Sequence, residues 1–198
     1  MKRIGLTGSI ASGKSEVARI AVALGIPVFD ADRAVHELYE DGTAAAVLVP
    51  VFSAAVHGKK VDRKALAAIL LQNPALFAEL EALVHPLVRQ KEHEFFRKAE
   101  LAGEKLAMAD IPLLFEGDRK ADFDVVVVVV APEVVRRKRA LQRPGMTPEK
   151  FDTIVRRQWP DDRKRQHADI VIDNDGSLDE LEARTKALLE GLRRQEER

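Results

Sequence analysis

The stretch GSIASGKS, residues 8–15, decides how this chain folds. It follows the apolar run Ile4-Gly5-Leu6 and precedes a helical run from Ser15 to about Leu24. Gly8, Gly13, Lys14 and Ser15 match every fixed position of G-x-x-x-x-G-K-[ST], in the strand–loop–helix setting the motif demands. The spacing has a chemical reason. The loop must curl so that successive backbone N–H groups point inward at phosphate oxygens. Glycines permit dihedrals and close approaches that a Cβ would obstruct. The following helix turns free N–H groups and a partial positive charge toward the same anion. Lys14 is placed to reach the β- and γ-phosphates, and the Ser15 hydroxyl to ligand magnesium.

Working outward, the whole chain of 198 residues has room for one α/β domain or a core with modest insertions. It is 46% hydrophobic, enough for a substantial core. Lys plus Arg and Asp plus Glu both total 32, so overall charge points to neither nucleic acid nor membrane. The lack of cysteine excludes disulfides, thiolate chemistry and a Cys-built zinc site, and fits a cytosolic setting. No two of the five histidines have zinc spacing. A strand begins at once, with no signal peptide ahead of it, and the apolar run 125–131 is too short to span a bilayer.

After the first helix, Val28-Phe29 reads as a second strand ending in Asp30-Ala31-Asp32. Carboxylates just past a strand end lie where open parallel sheets bind ligands, and one of the two can cap the helix that begins near Arg33. Residues 34–103 are mostly helical, with breaks at Asp41-Gly42, His57-Gly58, Asn73-Pro74 and His85-Pro86. Asp62 is a candidate cap, and His85, pushed toward an extended shape by Pro86, starts the last long helix. The strand Leu106-Ala107-Met108-Ala109 ends at Asp110, the expected magnesium-holding partner of the loop. Residues 125–130 are six valines without alternation, a central strand buried on both faces.

Between Val134 and Arg165 stand eleven Lys or Arg against four acids. The pattern predicts helix, tight turn at Pro144-Gly145, and a second helix capped by Thr147 with Pro148 in its first turn. Beside a phosphate loop this is a lid that brings guanidinium groups onto triphosphate charge. A last strand, 168–172, a turn at 173–176 and a final helix from Leu178 to about Arg193 complete the chain.

Together the segments resemble the dephospho-CoA kinase family. They are LTGSIASGKSEVA (6–18), VFDAD (28–32), VDRKAL (61–66), LVHPLV (83–88), DIPLLFE (110–116), LQRPG (141–145) and QWPDDRKRQHADIVIDNDG (158–176). They fall in the family's order and cover nearly the whole chain. The resemblance implies an α/β fold: a three-layer parallel-sheet P-loop kinase core of the nucleoside-monophosphate-kinase type, with a helical insertion domain and a helical lid. It implies a nucleotide-binding core of residues 1–33, 104–134 and 166–198, an acceptor domain at 34–103 and a lid at 135–165.

The implied reaction moves the γ-phosphoryl group of ATP to the ribose 3′-hydroxyl of dephospho-CoA, with Mg²⁺. Asp32 matches the family's general base, with Lys14 and Arg139 also catalytic. Gly8, Ser9, Ile10, Ala11, Ser12, Gly13, Lys14, Ser15 and Glu16 form the ATP loop, joined by lid residue Arg143 and by Asn174 of the adenine-side turn. Arg63, Lys64 and His85, with Asp32, fall in the acceptor region. Ser15 and Asp110 are the metal ligands. Gln158, Lys164, Ala168 and Asp169 match the segment leading into the last strand.

Two positions depart from the pattern. Ala11 stands where many members have glycine, and is expected to be harmless because it is not a fixed glycine of the motif. Glu16 stands where Thr or Ser is common, and its charge is expected to cost a little ATP affinity. The expected partner is small-molecule dephospho-CoA, with no nucleic acid and no membrane, in a cytoplasmic monomer or at most a weak homo-oligomer. Two alternatives remain: a P-loop kinase of another small hydroxylated acceptor, and an RNA-binding or regulatory NTPase. The Asn-Lys-x-Asp stretch of a guanine switch is absent.

Overall fold

The computed structural model describes residues 1–196. In chain order the elements are β1 (Lys2–Gly8), α1 (Lys14–Ala23), β2 (Val28–Asp30), α2 (Ala31–Glu40), α3 (Thr43–Phe52), β3 (Val56–His57), β4 (Lys60–Val61) and α4 (Arg63–Gln72). Then follow α5 (Leu76–Leu101), β5 (Leu106–Asp110), β6 (Val125–Val130), α6 (Glu133–Leu141), α7 (Pro148–Arg157), α8 (Asp161–His167), β7 (Ile170–Asp173) and α9 (Leu178–Gln195). The chain divides into two units, residues 1–29 with 98–198, and residues 30–97.

The first unit is built on a five-stranded sheet in the order β2-β5-β1-β6-β7. β1 pairs in parallel with β5 and β6, and β6 with β7. Parallel strands need crossovers, and the helices that supply them cover the sheet faces. The six-valine strand is an interior one, between β1 and β7, and Val126 to Val130 are each at most 1% exposed. Val17 and Ala21 of α1 and Leu181, Leu189 and Leu192 of α9 share one core with Ile4, Leu6, Val127 and Val129 of the sheet. The register sets Asp110 opposite Leu6 and Val129 opposite Gly8. The end of β5 thus lies beside the exit from β1, where the glycine-rich loop begins.

Four helix starts carry the side-chain caps that short polar residues provide. Asp30 accepts from Arg33 N, Asp62 from Lys64 N and Ala65 N, and Thr147 from Lys150 N. Ser177 and Glu180 form a reciprocal capping box on α9.

The His57-Gly58 break is present as the turn of a hairpin, in which Val56 pairs with Val61 and His57 with Lys60. Two local expectations are corrected. His85-Pro86 breaks nothing: α5 runs continuously from Leu76 to Leu101, and His85 lies in its interior. Pro86 lacks one N–H donor, but the apolar stripe continues past it, with Val84 4% and Val88 7% exposed. A helix of this length tolerates one missing hydrogen bond when its buried face is unbroken. Finally, the basic stretch contains a third helix, α8, whose seven polar residues DDRKRQH offer no apolar periodicity to reveal it.

Candidate active site

Gly8 ends β1 where a Cβ would lie 2.5 Å from the Val129 carbonyl oxygen, so only glycine fits there. Gly13 is the N-cap of α1 at φ 104°, and a Cβ on it would sit 2.1 Å from Asn174 Nδ2. Between them the loop closes on itself, with Ser12 N–H donating to Ser9 O at 3.0 Å. Asn174, just past β7, donates its amide to Ser12 O at 2.7 Å. Ile10 N–H donates to Gln158 Oε1 at 2.9 Å, and Ser9 Oγ donates to Asp161 Oδ1 at 2.5 Å. Three side chains from two distant segments thus fix the loop, while the first-turn N–H groups of α1 keep the orientation that suits an anion.

Ala11 is not neutral. Its φ is 59°, the left-handed region that disfavours a Cβ by about 1 kcal/mol. The methyl group has a compensating contact: Ala11 is buried in a cluster with Ala140 and Phe151, against which Ile10, Met146 and Val155 pack. The left-handed strain at Ala11 is thus offset by the packing of its methyl group.

Lys14 Nζ donates to Asp110 Oδ1, forming an ion pair at the mouth of the loop. Ser15 is exposed in the first turn of α1. Among the described residues no cluster of three or more His, Cys, Asp or Glu is arranged to hold a metal ion. Magnesium beside a nucleotide needs only one or two protein ligands, the rest being phosphate and water, so Ser15 and Asp110 suit it.

Glu16 is gripped by Arg19, whose Nη2 donates to Oε1 at 2.6 Å. That hydrogen bond, more than any other influence, holds its carboxyl below the usual glutamate range. The pair offsets much of the charge that would face triphosphate. E16T is therefore expected to tighten ATP binding by no more than about twofold, the scale of an exposed pair. R19A, which frees the carboxylate, is expected to weaken binding by a similar factor. Titration of both variants with ATP checks this; equal affinities would show that the charge at position 16 is irrelevant.

The arginines of α6 divide by direction. Arg136 is buried, donating from Nε to Ala131 O at 3.0 Å and pairing through Nη2 with Asp161 Oδ2 at 3.3 Å. Arg137 donates to Asp152 at 2.5 Å and lies over the Phe151 ring at 5.3 Å. Arg139 Nη1 donates to Asn174 O at 3.4 Å, beside the loop. Arg143 is exposed in the turn after α6.

In the second unit, Asp32 occupies the exposed first turn of α2. His36 follows it by one turn on the same face, with Arg63 Nη1 3.5 Å from His36 Nδ1. Sequence reasoning missed His36, although its four-residue spacing from Asp32 was available as a signal. Lys64 is exposed at the start of α4, and His85 is exposed on α5.

A parallel sheet with this loop between its first strand and first helix, an acid ending the neighbouring strand, and a basic helix pair after β6 define a P-loop kinase. The chain belongs to the dephospho-CoA kinase family, whose model matches residues 2–180. The dephospho-CoA kinase of Rhodopseudomonas palustris (strain BisB18) is 44% identical over 189 residues, covering 96% of this chain and 94% of that relative. That of Mesorhizobium japonicum is 45% identical over 192 residues, 97% of each chain. Among solved structures, a Thermus thermophilus protein matches with a TM-score of 0.83 at 37% identity, over 96% of this chain and 97% of its own. The dephospho-CoA kinase from Campylobacter jejuni matches with 0.74 at 27%, over 98% of both. A Bacteroides thetaiotaomicron shikimate kinase, at 18% identity and TM-score 0.57, over 96% of this chain and 98% of its own, shares the fold. Among the described residues, no helix is long and apolar enough to cross a membrane.

Proposed function

We propose that the enzyme transfers the γ-phosphoryl group of MgATP to the ribose 3′-hydroxyl of dephospho-CoA, giving coenzyme A and ADP. Family membership across residues 2–180 supports ATP-dependent phosphorylation of dephospho-CoA. The observation that carries the site assignment is the Lys14–Asp110 pair beside the glycine loop. Each partner neutralises the other, and a metal–nucleotide complex offers each a stronger one: phosphate for Lys14, the cation for Asp110.

In this reading the backbone of residues 8–16 receives the phosphates, and Ser15 and Asp110 hold magnesium. The ion supplies charge neutralisation across the phosphate chain. Lys14 and Arg139 stabilise charge on the transferring group. Arg143 acts with them from the lid at 135–165, and Asn174 lines the adenine side. The segment 34–103 carries acceptor binding through Arg63, Lys64 and His85. Asp32 accepts a hydrogen bond from the attacking hydroxyl, orients it, and takes its proton late.

Phosphorylation of dephospho-CoA, assayed against nucleoside monophosphates and pantothenate, tests the acceptor. A strong preference for dephospho-CoA is expected. Preference for another alcohol would favour a different small-acceptor kinase, and ATP hydrolysis indifferent to acceptor would favour a regulatory NTPase. R139A is expected to lower kcat by about a hundredfold while changing ATP binding little. Stopped-flow binding of a fluorescent ATP analogue checks the second half, and a matching loss in affinity would move Arg139 to ground-state binding.

A further inference from the structure

We propose that Gln158 and Asp161 are positioning residues of the phosphate loop, holding Ile10 and Ser9 so that Ala11 keeps its left-handed backbone. The inference rests on the reading that this loop receives ATP phosphates. Backbone strain persists only where the surroundings over-determine it. Here the two residues before the strained one are each tied to the stretch that runs from the end of α7 into the first residue of α8. Gln158 Oε1 accepts from Ile10 N–H, and Asp161 Oδ1 accepts from Ser9 Oγ.

That segment is itself firmly fixed. Trp159 N–H donates to Glu116 Oε1 at 2.6 Å, and Lys164, fully buried, places Nζ 3.2 Å from the same oxygen. Arg136 pairs with the second oxygen of Asp161. A free carboxylate beside a triphosphate site would repel the ligand. Asp161 is instead spent on Arg136 and on the Ser9 hydroxyl, so its place against the loop is mechanical. The Ile10 N–H is likewise committed to the protein. The clamp therefore acts on the loop's outer half and leaves the first turn of α1 to the anion.

The test uses the full-length enzyme with ATP as the probe, read by calorimetric ATP titration, KM for each substrate, kcat and Tm. Q158M removes the acceptor and keeps the bulk. It is expected to weaken ATP binding by about fivefold, the value of one hydrogen bond, with the acceptor KM unchanged. In the A11G background, where the left-handed region is open to the backbone without the clamp, the same substitution should cost less than about twofold. D161N, which retains an oxygen toward Ser9, should lose less ATP affinity than D161A. Wild-type ATP affinity in Q158M, or an equal loss in both backgrounds, overturns the proposal. So does a lowered Tm with ATP affinity unchanged, which marks a merely structural contact. If the wild-type enzyme itself binds no ATP, the reading of the loop fails, not the clamp.

Discussion

Replacing Asp32 by asparagine is expected to cut kcat by about a thousandfold, within the range of general base catalysis, while the ATP Kd stays within about twofold. Asp32 lies in the exposed first turn of α2, where a carboxylate is favoured by the helix N-terminus. Asparagine keeps the size and can hold a hydroxyl in place, but it cannot take the proton. A carboxylate is a weak base for an alcohol, so orientation carries part of the effect. D32A should accordingly lose more than D32N. The neighbouring acid is a poor substitute, because Asp30 spends its Oδ1 on Arg33 N–H at 2.9 Å as the cap of α2. Single-turnover rates with saturating ATP, together with ATP titration, check the prediction. A D32N enzyme with near-normal kcat would leave the reaction without a side-chain base at this position.

The second large effect is on stability. K164M is expected to destabilise the fold by about 3 kcal/mol, roughly 10 °C of Tm. Lys164 is fully buried, and its Nζ lies 3.2 Å from Glu116 Oε1 without forming a well-aligned hydrogen bond. Glu116 Oε2 has no hydrogen-bond partner. Removing the lysine strands the carboxylate, and that uncompensated charge carries the cost. E116Q/K164M keeps an oxygen for Trp159 N–H and removes both charges, so it should recover most of the loss. If the double variant were as unstable as K164M, the lost packing of the lysine stem would be the cause instead.

The same pair predicts a pH dependence. Burial holds the Lys164 pKa below its ordinary 10.5, against the opposing pull of Glu116. In the window between the folded value and 10.5 the unfolded chain binds more protons, so this contribution to stability rises with pH. It is greatest above the unfolded value and lost as pH falls through the folded one. Urea unfolding at alkaline pH should show that slope in the wild type relative to E116Q/K164M. Parallel profiles for the two proteins would contradict it.

Much of the geometry of the glycine-rich loop was legible because it is set locally. The spacing of Gly8, Gly13, Lys14 and Ser15 encodes a loop whose backbone geometry follows from which positions lack a Cβ. Six valines in a row predict a central strand, since only burial on both faces leaves no polar alternation. Asp30, Asp62 and Thr147 announce helix starts because a cap acts within three residues. The clamp was not legible in this way. Gln158 and Ile10 are 148 residues apart, and nothing near either one names the other. Pro86 misled for the opposite reason: a strong local signal was overridden by a buried stripe that runs past it.

The amino-acid order by itself determined the phosphate loop, the parallel core and the family, all properties of neighbouring residues and their periodicity. Only the tertiary structure decided that Ala11 is strained, that Arg136 and Lys164 turn inward, and that Arg139 faces the Asn174 backbone. These depend on which distant groups share a low-dielectric interior or a strained turn. Such energies are set by separation in space, which sequence separation does not encode.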